Sequence, residues 1–289
     1  MQRDKLGRFA SISSITWSVL GSFSKGIPSA RTLNFGISGG ANCETSCRHH
    51  PMHYRDGAPH DGACYAWYVE KRADRQQLAD KLGRHEALPA SIVTGKALVE
   101  LSRAILHGST VGWLRISTNG AVPKPAEALA DRRFIPLLRE FLETAKRAGI
   151  PVHFPVESAE KAAFYREKVG DLVTIRESVQ THNMGADTIE HHDIPKGACS
   201  FTAGEHVGAG PNKRARILAA AAAAAAAWAQ RTGRKTIVCP AVRVSFLART
   251  KAGRGLRSAE QVKSWRAGAK CGACTACALA HVDIVYPAH

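Results

Sequence analysis

The sequence predicts an α/β fold, a partial (βα)6 barrel of the TIM-like kind with cysteine-rich loops at the carboxyl ends of its strands. Three observations predict it. Six short apolar or β-branched runs alternate with helical stretches, the pattern of a parallel sheet joined by right-handed crossovers. Cysteine groups follow the first and the last of these runs, where parallel α/β folds gather their functional groups. The 289 residues suffice for one large core, since barrels of roughly 200 to 250 residues fold as single units. Six units fit a partial barrel better than a closed eightfold one. An open doubly wound sheet shares the same pattern.

The elements follow in order. Residues 31–37 (RTLNFGI) read as the first strand, running into Gly39-Gly40 and the first cysteine loop. Residues 65–82 read as helical, and 91–106 as a second helix with Leu98, Leu101, Ile105 and Leu106 near helical spacing. VGWLRIST (111–118) is a strand closed by Asn119-Gly120, a turn signal. The amphipathic stretch 136–149 is a helix stopped by Gly149. IPVHFPV (150–156) is the third strand, and Ser158 is placed to cap the short helix after it. DLVTIRES (171–178) and the weaker GACSFTA (197–203) are the next two strands. Residues 212–233 form a helix whose nine-alanine run has the highest helix propensity available. KTIVCPAV (235–242) is the sixth strand. On this reading, 1–30 is an N-terminal extension, 31–242 the partial barrel, and 243–289 a cysteine-rich segment packed on it.

Composition narrows the function. Forty Lys+Arg against 24 Asp+Glu give a net charge of +16. That charge favours polyanions as partners: nucleic acid, nucleotides or an acidic protein. A merely solvated basic surface explains it as well. No run approaches the roughly 18 apolar residues of a membrane span, so no membrane partner is expected. Serines and glycine interrupt the apolar residues of the basic N-terminus, which makes a poor signal-peptide core, and a cytoplasmic location is expected.

The eight cysteines cluster as 43/47/64, then 199, 239, and 271/274/277. With no export signal, clustering at short spacing points to metal ligation rather than disulfides. Cys271, Cys274 and Cys277 are separated by two consecutive two-residue gaps, which lets their thiolates wrap one compact inorganic core. Such spacing favours an iron–sulfur cluster over zinc. Cys239, at the end of the sixth strand, is the natural fourth ligand. Cys199 reads as a core cysteine. Cys43, Cys47 and Cys64 offer three thiols, and a four-iron cluster held by three keeps one iron open for a ligand. Alternatively, one of His49, His50, His53 and His60 in the intervening loop completes a closed zinc site.

A cysteine loop directly after the first strand, ending Cys64-Tyr65-Ala66 at the head of a helix, resembles the radical S-adenosylmethionine superfamily. The usual loop there is Cys-x3-Cys-x2-Cys. Cys43 and Cys47 keep the first spacing, while sixteen residues separate Cys47 from Cys64. The chain from about residue 31 onward is more specifically similar to a phage and prophage family at the edge of that superfamily. That family combines this loop with a late Cys-Pro, here Cys239-Pro240, with the Cys271/Cys274/Cys277 run, and with a terminal Pro287-Ala288-His289. The resemblance implies an enzyme with two 4Fe–4S clusters, one catalytic and one auxiliary, and an electron donor. The reduced catalytic cluster would cleave S-adenosylmethionine to methionine and a 5′-deoxyadenosyl radical. It further implies that main chain after the second strand, at Ser117, Thr118, Asn119 and Gly120, meets the amine of S-adenosylmethionine. Arg176, Glu177 and Ser178, at the fourth strand end, would hold its ribose or carboxylate. At the position where the superfamily often has an acid, this chain has Ala121.

Two other classes compete. A zinc-stabilised basic protein that grips nucleic acid without radical chemistry uses the same cysteines and the same charge. A hydrolase would need a nucleophile elbow, a phosphate-binding glycine loop or a zinc-protease helix, and the sequence has none of these. The glycines and basic residues of 204–216 could touch phosphate before the following helix, though a plain loop has the same composition.

Overall fold

The computed structural model describes residues 19–22, 30–35, 88–117, 122–179, 189, 193–204, 207, 210, 212–240 and 276–287. Among these, eight strands form one sheet: β1 (Leu20–Ser22), β2 (Ala30–Leu33), β3 (Trp113–Ile116), β4 (Val152–Val156), β5 (Ile175–Ser178), β6 (Cys199–Ala203), β7 (Lys235–Val238) and β8 (Val282–Pro287). The order is β1-β2-β3-β4-β5-β6-β8-β7. β1 is antiparallel to β2, and the seven strands from β2 onward pair in parallel in a sheet that does not close.

The six predicted strands are present, each shorter than its apolar run. Two more come from outside the predicted barrel. β1 belongs to the N-terminal extension. The amides of Val19, just before it, and of Leu20, its first residue, donate to the Glu100 carboxylate at 3.1 and 3.0 Å, which ties the edge strand to a helix. β8 belongs to the C-terminal cysteine-rich segment, and it lies inside the sheet between β6 and β7 rather than beside it.

Among the described residues five helices accompany the sheet: α1 (Ala90–Leu106), α2 (Pro125–Ala130), α3 (Phe134–Arg147), α4 (Ala159–Val169) and α5 (Lys213–Thr232). α3 buries Phe134, Leu138, Phe141, Leu142 and Ala145, a stripe at helical spacing. Each fully buried large apolar side chain of this kind contributes about 1.5–3 kcal/mol. Gly149, with φ +65°, ends the chain's helical path after α3 as predicted. Ser158 caps α4, its hydroxyl accepting from the Lys161 N–H. α5 turns Ile217, Ala221, Ala224, Ala225 and Trp228 toward the sheet. Against these alanines pack Cys199, Phe201 and Ala203 of β6 and Val285 of β8. The small side chains let α5 lie close, and where β6 ends, Gly204 (φ +93°) leaves room for Ile217 that a Cβ would take. Among the described residues no helix is long and apolar enough to cross a membrane.

A buried polar group joins α5 to the sheet. The Asp283 carboxylate accepts from the Cys199 N–H at 2.9 Å and from the Trp228 indole at 2.8 Å. Arg234 lies 2.9 Å from the same carboxylate. Three partners make a buried acid in the middle of a strand tolerable.

Candidate metal and ligand site

Residues paired across parallel strands share a face, and successive residues alternate. The register pairs Thr32 with Arg115, Arg115 with His153, Pro155 with Arg176, Ser178 with Ser200, and Thr202 with Tyr286. These side chains form one row across the sheet. The opposite face carries Leu33, Leu114, Ile116, Phe154, Val156 and Ile175, which pack with α1, α3 and α4 in the main core. The first row is thus the face the described helices leave uncovered, and it is polar. Thr32, Ser117, His153, Arg176 and Ser200 are nonetheless all buried. Buried polar side chains, unlike buried leucines, call for a reason.

Two of the expected metal ligands meet on this face. Cys239 follows β7, where its N–H continues the ladder to Val285 O at 2.8 Å. Its side chain packs with Ala276, Val282 and Ile284. Cys277, in the 3₁₀ turn Ala276–Ala278, packs against the same group, as does Tyr286. Cys277 Sγ lies 3.6 Å from Tyr286 Oη, within hydrogen-bonding reach for sulfur. Burial pushes the Tyr286 phenol well above its ordinary range, and negative charge on Cys277 and Cys239 pushes it the same way. Both thiols are therefore in electrostatic reach of one hydroxyl. Thiols as a class suit iron or zinc. The other expected ligands, Cys271 and Cys274, lie outside the described residues, as do Cys43, Cys47, Cys64 and the loop histidines His49, His50, His53 and His60. Among the described residues no three His, Cys, Asp or Glu side chains gather as a metal site.

Cys199 sits apart from this pair. It is fully buried on the helix side, packed with Phe201 and Trp228, and burial pushes its thiol far up. A thiol so raised is a poor ligand and a poor nucleophile.

Arg176 shows how the Cys277 turn is held. Its guanidinium donates to the carbonyls of Cys199 (2.7 Å), Val282 (2.8 Å), Leu279 (3.0 Å), Cys277 (3.1 Å) and Ala276 (3.5 Å). The side chain is fully buried. Those carbonyls bind it in place of a ligand's ribose or carboxylate, and four of the five belong to the segment around Cys277. Arg176 is thus a positioning residue for that turn. Glu177 points to the other face, where it lies 3.6 Å from Arg166. Burial raises its carboxyl, and Arg166 opposes the rise. Ser178 shares the face of Arg176 and is half-buried. The three residues expected to act together are divided by the strand's alternation.

Ser117 ends β3 in the left-handed region, with φ 56°, while its N–H donates to Leu33 O at 2.6 Å. A non-glycine residue there costs about 1 kcal/mol or more and is held only by its surroundings. Thr118, Asn119 and Gly120 lie outside the described residues.

Sequence reasoning did not single out Trp113 or Tyr286. Trp113 and His153 stand edge to face, ring centroids 6.3 Å apart and planes at 87°. Their exposures are 4% and 5%. Trp113 Nε1 and His153 Nε2 are both buried without a hydrogen-bond partner among the described residues. Each such nitrogen costs about 1–3 kcal/mol. Burial holds the His153 imidazole well below its ordinary range, and the charges of Arg115 and Arg176 add to that. A cavity of about 560 Å³ lies at the other end of the sheet, beneath the amino ends of β4, β5 and β6 and lined by Ile150, Val173, Thr174 and Gly197. Parallel sheets carry their chemistry at the opposite, carboxyl ends.

No protein-family model matches the chain, and neither curated proteins nor solved structures give a significant match.

Proposed function

We propose that the chain is an iron–sulfur enzyme that uses S-adenosylmethionine on a nucleic-acid or nucleotide substrate. The observation that carries this reading is the meeting of Cys239 and Cys277 on the polar face of a parallel sheet. The two thiols come from separate stretches of chain and pack in one group with Tyr286, whose hydroxyl lies 3.6 Å from Cys277 Sγ. On this reading Cys239, Cys271, Cys274 and Cys277 hold an auxiliary 4Fe–4S cluster. Cys43, Cys47 and Cys64 hold a second one with an open iron for S-adenosylmethionine. The clusters and an external electron donor supply the redox chemistry. The described residues supply position: Arg176 fixes the Cys277 turn, and Ser117 turns the main chain at the end of β3.

A partial barrel suits this reading. Arg115 on β3 lowers the Tyr286 phenol on β8 against the other influences. Four strand spacings of about 4.8 Å separate β3 from β8 in a flat sheet. A sheet curled toward its polar face, as in a partial barrel, would bring the two side chains into range.

The test is spectroscopic. Protein reconstituted with iron and sulfide without oxygen, then reduced, should change its cluster resonance signal when S-adenosylmethionine is added, and methionine should appear. An unchanged signal with no methionine contradicts the proposal. The charge of +16 favours one other reading, a zinc protein that binds nucleic acid without redox chemistry. That protein would be colourless, and its affinity for nucleic acid would fall steeply with salt.

A further inference from the structure

We propose that Trp113 and His153, beside Arg115, form a subsite, on the face of the sheet that the described helices leave uncovered, for an anionic oxygen group, a carboxylate or a phosphate. Trp113, Arg115 and His153 share this face by strand alternation and by the Arg115–His153 register. Two buried nitrogens, Trp113 Nε1 and His153 Nε2, have no partner among the described residues, although protein interiors pair nearly all such groups. The two rings are neighbours, so one bound group can serve both nitrogens.

The chemistry of the nitrogens selects that group. An indole N–H only donates, so what it lacks is an acceptor. A neutral imidazole with its proton on Nε2 also donates there. Two donors on neighbouring, perpendicular rings suit two oxygens of one carboxylate or phosphate. The surrounding charge selects an anion over a neutral carbonyl. The guanidinium charges of Arg115 and Arg176 are both felt at His153, so the region is electropositive and a negative oxygen is drawn to it. This subsite depends on no cluster and no S-adenosylmethionine, so it stands or falls apart from the function proposed above.

The test is calorimetric titration of the full chain, as purified, with inorganic phosphate and separately with acetate, in chloride of matched ionic strength. Comparing the two titrations distinguishes a phosphate site from a carboxylate site. Binding by the wild type is expected for at least one of them. Trp113→Phe keeps an aromatic ring and removes the donor, and it should weaken that binding about tenfold, the equivalent of 1.4 kcal/mol. Without anion, the same variant should melt no lower than the wild type, because it removes an unpaired buried donor. His153→Leu should weaken binding similarly. His153→Gln, which keeps a donor in place of Nε2, should retain most of it. A nonspecific effect of the basic surface would leave binding equal in all variants, and that result overturns the proposal. So does a wild type that binds neither anion. If Trp113→Phe fails to fold, the contrast between His153→Leu and His153→Gln decides alone: equal binding in the two overturns the subsite.

Discussion

Arg176 donates to five main-chain carbonyls and is fully buried. No shorter or rounder cation reproduces that fork of donors. Arg176→Lys should therefore destabilise the fold nearly as much as Arg176→Met, each by about 3 kcal/mol or more, because both leave buried carbonyls without donors. Urea denaturation measures this, and a loss below about 1 kcal/mol for Arg176→Lys would show that the carbonyls find other partners. His153 makes a prediction about pH. Its folded-state value lies well below 6.5, so between that value and about 6.5 the unfolded chain binds more protons than the folded one. Stability is then whole above about pH 6.5 and falls as the pH drops below it, by at most about 1.4 kcal/mol per unit for one group. His153→Leu should flatten that part of the acid limb. Melting temperatures from pH 7.5 to 5 for both proteins test it, and parallel curves count against the assignment.

At the scale of elements, α5 separates what composition tells from what only packing tells. Its nine alanines give helix propensity, as the sequence predicts, yet they are not uniform. Ala224 is fully buried toward the sheet, whereas Ala223 is exposed. Ala224→Leu should cost about 1–3 kcal/mol through overpacking, while Ala223→Leu should stay within about 0.5 kcal/mol. Similar losses at both positions would contradict the packing described. The strands from β2 to β7 were legible because their apolar runs alternate with helices. β8 was not, because Asp283 interrupts its apolar run. Only the fold reveals that Trp228, the Cys199 N–H and Arg234 satisfy that acid. Arg176, Glu177 and Ser178 look like one polar cluster in sequence, but alternation along β5 sends Glu177 to the helix side. Strand polarity was visible from composition, and the destination of each side chain was not. Tyr286 went unnoticed because nothing in its local sequence tells that Cys277, nine positions earlier, turns back to meet it.

At the scale of the whole molecule, an open parallel sheet carries an apolar face against helices and a buried polar face that holds two thiols, a phenol and an electropositive row. Of the sequence motifs that converge there, the end of the cysteine run is legible from its spacing and Cys239 from its place at a strand end. Their meeting requires β8 to enter the sheet beside β7, which spacing does not predict. Metal chemistry on that face is the central claim. The measurement that tests it most directly is elemental analysis, with acid-labile sulfide, of the chain purified without oxygen. The account predicts about eight iron atoms and as many sulfides per chain, with little zinc, as two 4Fe–4S clusters require. Protein carrying zinc without sulfide, or carrying no metal, would contradict it.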